Sequence, residues 1–184
     1  MSQSFPDRIN VNSPQEDEGA KTLLVLFGDQ LNAEAEALTS LDREEDAVLM
    51  MEVAEESQSP PSHRQRTAFF LSAMRHFALE LMERGYRVRY VTLDEKGNTQ
   101  SFLEEIKRAS KELKPETLRF VRPGDWRGMD VINSLKKDNR IDFFEDDHFL
   151  STPQDFDDWA EGKKRLVLEY FYREMRRRYD VLMN

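Results

Sequence analysis

The stretch TLLVLFGDQ, residues 22–30, decides the fold of this 184-residue chain. From Thr22 to Phe27 it is a short run of strand-forming, mostly apolar side chains, and the run stops at Gly28. A run of this length without polar alternation is typical of a strand buried on both faces, and such strands usually belong to parallel sheets. The stretch therefore predicts the first strand of a parallel sheet, followed by a loop.

The same strand pattern returns along the chain and alternates with helical patterns. Further strands are predicted at residues 47–53, 87–93, 117–121 and 141–144. The arginines within 87–93 place that strand nearer an edge of the sheet. Helical spacing of apolar residues predicts helices at about 62–85, 101–113 and 129–137, and from residue 152. Alternating strands and helices imply right-handed βαβ units, so the sequence predicts an α/β fold with a five-stranded parallel Rossmann-like sheet flanked by helices.

Three residues are predicted to begin helices. Ser62 and Ser101 each precede a Gln or Glu by three residues, which is the spacing of a capping box. Thr152 precedes Pro153, and proline is favoured at the first helical position. The segment 32–41 is consistent with either a helix or an ordered loop. A last helix is predicted over 169–184, with one stripe formed by Tyr172, Met175, Tyr179 and Leu182.

Composition limits the possible classes of protein. The net charge is −9, which disfavours nucleic-acid binding through bulk electrostatics, although residues 162–184 are locally basic. The chain contains no cysteine, which excludes disulfides, thiolate zinc sites and iron–sulfur ligation by these residues, and a cytoplasmic location is the default expectation. No apolar run is long enough to cross a bilayer. Residues 1–20 are polar and acidic and are predicted to be a disordered leader rather than a signal peptide.

Polar residues follow the first two predicted strands. Asp29 and Gln30 follow the first, and Glu56 lies beyond the second, so neighbouring strands would bring them to one crevice. No second glycine and no Walker lysine accompany Gly28, and an acid there would repel a phosphate. A neutral, hydroxyl-rich ligand is therefore favoured over a nucleotide phosphate. The alternative is that Asp29 shapes a turn and that Glu56 is solvated.

Other candidate residues carry weaker signals. Trp126 follows the fourth strand and either stacks on a planar ligand or plugs the sheet edge. His63, near a helix start, could face the crevice, whereas His76 is expected to be a packing residue. The histidines form no HxxxH or HExxH pair, and no nucleophile elbow is present. Neither metal ligands nor catalytic residues are assigned.

Several segments together resemble a known family. They are LFGDQL (26–31), MEVAEE (51–56), SAMRHF (72–77), GYRVRY (85–90), PGDWR (123–127) and EYFYREMRR (169–177). These segments are similar in order and spacing to the start of the photolyase-related proteins, which are prokaryotic iron–sulfur cryptochromes and (6-4) photolyases. The resemblance implies an amino-terminal α/β domain that binds an antenna chromophore, typically 6,7-dimethyl-8-ribityllumazine.

The resemblance also implies site residues and partners. The expected chromophore contacts are Gly28, Asp29, Gln30, Leu31, Glu56 and His63, with the Glu56 carboxylate accepting hydrogen bonds. Residues 21–162 would form the antenna domain, and residues 163–184 would be a helical connector to a further domain that holds FAD and a [4Fe–4S] cluster. DNA would be contacted only through that domain, and the implied role of the parent protein is light-driven repair of DNA photolesions or blue-light sensing. The alternative is a stand-alone α/β interaction module without pigment or catalysis.

Overall fold

The computed structural model describes residues 19–58 and 61–182. Residues 1–18 of the predicted disordered leader lie outside this range. Its last two residues are held by hydrogen bonds: the Gly19 carbonyl accepts from Arg87, and the Ala20 N–H donates to the Leu113 carbonyl. The chain divides into two compact units, one ending at Phe144 and one beginning at Glu145. The predicted boundary between residues 162 and 163 therefore falls within the second unit.

The first unit contains the predicted parallel sheet. Within the described residues its strands are β1 (Thr22–Leu26), β2 (Ala47–Met51), β3 (Val88–Val91), β4 (Thr117–Val121) and β5 (Ile141–Phe144). Their order is β3-β2-β1-β4-β5, and every neighbouring pair is parallel. The five-stranded Rossmann-like α/β fold is confirmed, and so is the edge position of the strand within 87–93.

Helices follow the strands in the first unit. They are α1 (Glu36–Thr39), α2 (Ala54–Gln58), α3 (Arg64–Glu83), α4 (Phe102–Leu113) and α5 (Trp126–Leu135). The uncertain segment 32–41 is mostly loop and contains only the short α1. Helix α5 begins three residues before the predicted start at residue 129, because Asp125 caps it by accepting a hydrogen bond from the Gly128 N–H.

Two apolar clusters occupy opposite faces of the sheet, because alternate residues of a strand point to opposite sides. On one face Leu24 and Met50 pack with Met74 and Leu81 of α3. The other face contains Leu23, Val25 and Leu49 of the strands, together with Ile106 of α4 and Ile132 of α5. The burial of β1 and β2 explains their nearly continuous apolar sequence.

Both predicted capping boxes, at Ser62 and Ser101, are wrong. The predicted helix start at Thr152 is confirmed, and there Thr152 and Asp155 form a reciprocal capping box that was not predicted. Helix α3 begins after His63, not Ser62, and the His63 ring nitrogen Nδ1 accepts from the Gln65 N–H at 3.2 Å. Ser101 occupies the N-cap position of α4 without a side-chain cap, because Glu55 of α2 instead accepts from the Phe102 N–H at 3.0 Å.

The second unit contains α6 (Pro153–Ala160) and α7 (Leu168–Tyr179). Phe156 and Trp159 of α6 contact the Phe171 ring, with centroids 5.3 and 5.2 Å away. The prediction of a helix to residue 184 is wrong, because α7 ends at Tyr179. The backbone of Asp180, which follows it, adopts a left-handed conformation with φ +53°. The buried residues of α7 are Phe171 and Met175, whereas three members of the predicted stripe, Tyr172, Tyr179 and Leu182, are exposed.

None of the helices in residues 19–58 and 61–182 combines the length and the apolar character needed to span a bilayer.

Candidate functional site

A crevice lies beyond the carboxyl ends of the central strands. The sheet order changes direction between β1 and β4, and α/β folds place ligands at such a point. The larger lobe of the crevice has a volume of about 370 Å³ and the smaller lobe about 60 Å³. Both lobes are lined by Asp29, Glu56, Gly124, Asp125 and Arg127. The larger volume lies within the usual range for small-molecule sites.

The walls of the crevice combine apolar and polar groups. Phe70 and Leu71 of α3 line the larger lobe with Val53 and Leu93. The hydroxyl-bearing residues Ser57, Ser62 and Thr67 line the same lobe. In the smaller lobe the apolar walls come from Phe27, Phe102, Pro123 and Val131. This composition suits a planar, partly apolar ligand that carries several hydrogen-bonding groups.

Gly28 sets how closely α3 approaches β1. A Cβ atom at this position would lie 2.5 Å from the Phe70 ring and 2.8 Å from the Met74 sulfur. The absence of a side chain at Gly28 therefore lets Phe70 pack against the end of β1 and form the crevice wall. Gly28 acts on the crevice through Phe70.

Glu56 is the titratable group that the crevice perturbs most clearly. Burial, reinforced by the nearby Asp29 carboxylate and opposed by Arg127, raises the pKa of Glu56 to about 7. Among residues 19–58 and 61–182, no protein group donates a hydrogen bond to its carboxyl group. The structure thus brings Asp29 and Glu56 together, and near neutral pH the Glu56 side chain is available to a ligand both as an acid and as a carboxylate.

Glu56→Gln is expected to stabilise the domain more at pH 8 than at pH 5. The folded carboxyl group keeps its proton up to about pH 7, whereas the unfolded one releases it near 4.5. Folding is therefore increasingly penalised as pH rises through this window, and a neutral amide removes the penalty. With a discount for partial exposure, the gain at pH 8 is about 1–2 kcal/mol. Urea unfolding at both pH values measures it, and an equal gain at both would contradict the assignment.

The remaining predicted contacts lie in different settings. Gln30 is buried, and its amide links the Phe27 N–H to the Val121 carbonyl at 3.1 Å on each side, which ties the ends of β1 and β4 together. Leu31 packs partly buried against the core. The exposed His63 caps α3, while its neighbour Ser62 lines the larger lobe. Direct contact of these three residues with a ligand stays a prediction.

The start of α5 forms one rim of the crevice. Although its partial burial acts in the opposite direction, the Gly128 N–H and the Arg127 guanidinium lower the pKa of Asp125. Arg127 binds the Asp125 carboxylate through two nitrogens, at 2.9 and 2.8 Å. Trp126 is 72% exposed, so it does not plug the sheet edge. Stacking of Trp126 on a ligand stays a prediction.

Sequence reasoning missed a buried ionic cluster beside the crevice. The Glu52 side chain is fully buried at the end of β2. It accepts hydrogen bonds from Arg75 at 2.5 and 2.7 Å, from the Tyr90 hydroxyl at 2.7 Å and from the Leu93 N–H at 2.9 Å. The available signal was an acid directly after the apolar run of β2, because such an acid needs partners.

An acidic turn in the second unit also groups possible metal ligands. Asp146, Asp147 and His148 offer ligand atoms that lie within 4.8 Å of one another. The His148 N–H and ring both contact the Asp146 carboxylate, at 2.9 and 2.8 Å. These local hydrogen bonds account for the arrangement without a metal ion.

Comparison with known proteins agrees with this architecture. Residues 24–184 match the family model of the deoxyribodipyrimidine photo-lyase-related proteins. A (6-4) photolyase from Agrobacterium fabrum (strain C58 / ATCC 33970) is 41% identical over 164 residues, which are 88% of this chain and 32% of the relative. The chain thus spans about a third of the length of that relative. On both findings, the chain belongs to the deoxyribodipyrimidine photo-lyase-related protein family.

Proposed function

We propose that this chain binds an antenna chromophore of the ribityl-lumazine class in the crevice above β1, β2 and β4. The observation that carries the proposal is the meeting of Asp29 and Glu56 at a cavity of about 370 Å³ with apolar walls. Family membership supports it, because the resemblance of these residues to photolyase-related proteins implies such a pigment. The whole protein would then act in light-driven DNA repair or blue-light sensing.

The residues of the crevice fit 6,7-dimethyl-8-ribityllumazine. Phe70 and Leu71 offer flat and aliphatic surfaces for a bicyclic ring, and burial against them excludes water. Asp29 accepts hydrogen bonds from hydroxyl or ring N–H groups, and the Ser57 and Thr67 hydroxyls, which donate to backbone carbonyls, can accept as well. When bound, a lumazine supplies absorption of near-ultraviolet and blue light and passes the excitation to a nearby flavin. The chain itself holds the ring in a fixed orientation.

A further domain would supply the redox cofactors, FAD and a [4Fe–4S] cluster. This chain contains no cysteine, so thiolate ligands for a [4Fe–4S] cluster would have to come from other residues. The relative is about three times as long as the matched region, which leaves room for a helical domain with FAD. DNA contact is proposed for that domain.

Titration of the purified chain with 6,7-dimethyl-8-ribityllumazine tests the proposal. We expect quenching of the lumazine fluorescence, and a rise in Kd of roughly tenfold or more for Glu56→Ala, because a directed hydrogen bond is lost. Glu36→Ala is the matched control, since it removes an exposed glutamate from α1, away from the crevice lining. Folded protein that does not bind the lumazine would refute the proposal.

A pigment-free interaction module is the second candidate. It is favoured by exposed apolar residues on α7, where Leu168 is 78% and Tyr170 is 59% exposed. Such residues are typical of a surface that another protein segment covers. Failure of the folded chain to bind lumazine would make this the better-supported function.

A further inference from the structure

The Glu56 carboxyl group lies among acids from several elements. Asp29 follows β1, Glu55 neighbours Glu56 on α2, and Asp125 begins α5. Together with Glu56 they place four carboxyl groups in the described lining of the crevice. The facing cations are Arg127 of α5 and Arg66 of α3.

The facing cations compensate the charge of Glu56 only in part, since the pKa of Glu56 remains raised. Arg127 already binds Asp125 through two nitrogens, and Arg66 is exposed on the wall of the larger lobe. Within the described residues, the Glu56 carboxyl group receives no hydrogen bond from the protein. A negative charge on Glu56 therefore depends on solvent for its hydrogen bonds, and a bound ligand displaces solvent from the crevice.

We propose, building on the chromophore-binding function above, that Glu56 holds its ligand as a neutral carboxylic acid and donates its proton to a carbonyl oxygen or ring nitrogen. This reverses the expected role of Glu56 as a hydrogen-bond acceptor. The raised pKa of the free side chain supports the idea, since little free energy is needed to keep it neutral near pH 7.

The donor role selects a chemical class of ligand. A neutral acid offers one O–H donor, and its best partner is a strong acceptor at a fixed position. Heteroaromatic rings with carbonyl groups and unprotonated ring nitrogens, such as pteridines and isoalloxazines, present such acceptors. A cationic ring, or a ring edge that carries only donors, would instead require the ionised form of Glu56. Glu56 thus selects the ring of the ligand, while the other polar groups of the crevice bind its hydroxyl-bearing side chain.

The pH dependence of lumazine binding tests the proposal. The pKa of Glu56 in the ligand-free chain is about 7. The Kd of the wild-type chain should therefore rise about tenfold between pH 6 and pH 8, because the ionised side chain must regain its proton before it can bind. Glu56→Gln keeps an N–H donor in nearly the same shape and does not titrate, so its Kd should follow only the ionisation of the ligand. The ratio of the wild-type and Glu56→Gln Kd values cancels that ionisation.

Calorimetry at pH 7 in two buffers of different ionisation enthalpy gives an independent readout. Uptake of about half a proton per bound lumazine is expected for wild type and none for Glu56→Gln. A Kd ratio that is constant with pH, or that falls as pH rises, overturns the donor role while leaving chromophore binding intact. Absence of lumazine binding at every pH, in both folded proteins, instead removes the proposed function and this inference with it.

Discussion

Glu52→Ala is expected to lower the free energy of unfolding by about 3–5 kcal/mol, the cost of removing one partner from a buried ion pair. The Glu52 side chain is fully buried and accepts from Arg75, Tyr90 and the Leu93 N–H. Its loss removes the carboxylate to which the buried Tyr90 hydroxyl donates and the carboxylate that the Arg75 guanidinium binds. Urea unfolding followed by circular dichroism measures the effect.

Two further variants make the Glu52 result interpretable. Tyr90→Phe removes the hydroxyl that donates to Glu52 and keeps the Glu52–Arg75 ion pair, so it should cost about 1 kcal/mol and remain folded if Glu52→Ala does not. Glu45→Ala removes an exposed ion pair with Lys21, whose side chains are 58% and 62% exposed, and should cost less than 1 kcal/mol. A Glu52→Ala cost as small as that of Glu45→Ala would show that the buried cluster contributes no stability.

Gly28→Ala is expected to damage both folding and ligand binding. The new Cβ would lie 2.5 Å from the Phe70 ring, so the ring must move, and the crevice it lines is the space beside it. Overpacking of this kind costs about 1–3 kcal/mol of stability. The displaced ring should also raise the Kd for 6,7-dimethyl-8-ribityllumazine roughly tenfold or more, since a contact wall is lost. Thermal unfolding and fluorescence titration measure the two effects.

Gly124→Ala is the matched control for Gly28→Ala. It adds the same methyl group at the same crevice, but no heavy atom lies within 4 Å of the added Cβ. Its stability should therefore stay within about 0.5 kcal/mol of wild type. Equal losses in the two variants would contradict the assignment of Phe70 as the wall that Gly28 positions.

The sheet was predictable because its signals are local. The apolar runs of β1 and β2 indicate strands with two buried faces, and the arginines within 87–93 indicate a strand at the edge of the sheet. The meeting of Asp29 and Glu56 followed from topology, because parallel neighbours end at the same edge.

Features that depend on distant partners could not be read from the sequence. Glu52 accepts hydrogen bonds from Arg75 and Tyr90, which lie 23 and 38 residues further along the chain. Only the fold brings these residues together. The hydrogen bond from the Gln30 amide to the Val121 carbonyl also joins residues 91 positions apart. Helix α4 is capped by Glu55 rather than by its own Ser101, because α2 lies against its first turn. Side-chain assignments of this kind require the tertiary structure.

The short helix α2 divides two tasks between adjacent residues. Glu55 anchors the first turn of α4, and Glu56 faces the crevice without a hydrogen bond from the described protein groups. Replacement at 56 therefore breaks no side-chain hydrogen bond among the described residues, while replacement at 55 removes the hydrogen bond to the Phe102 N–H. Under the proposed function, ligand preference could therefore change by substitution at residue 56 alone, while Glu55 continues to hold α2 against α4.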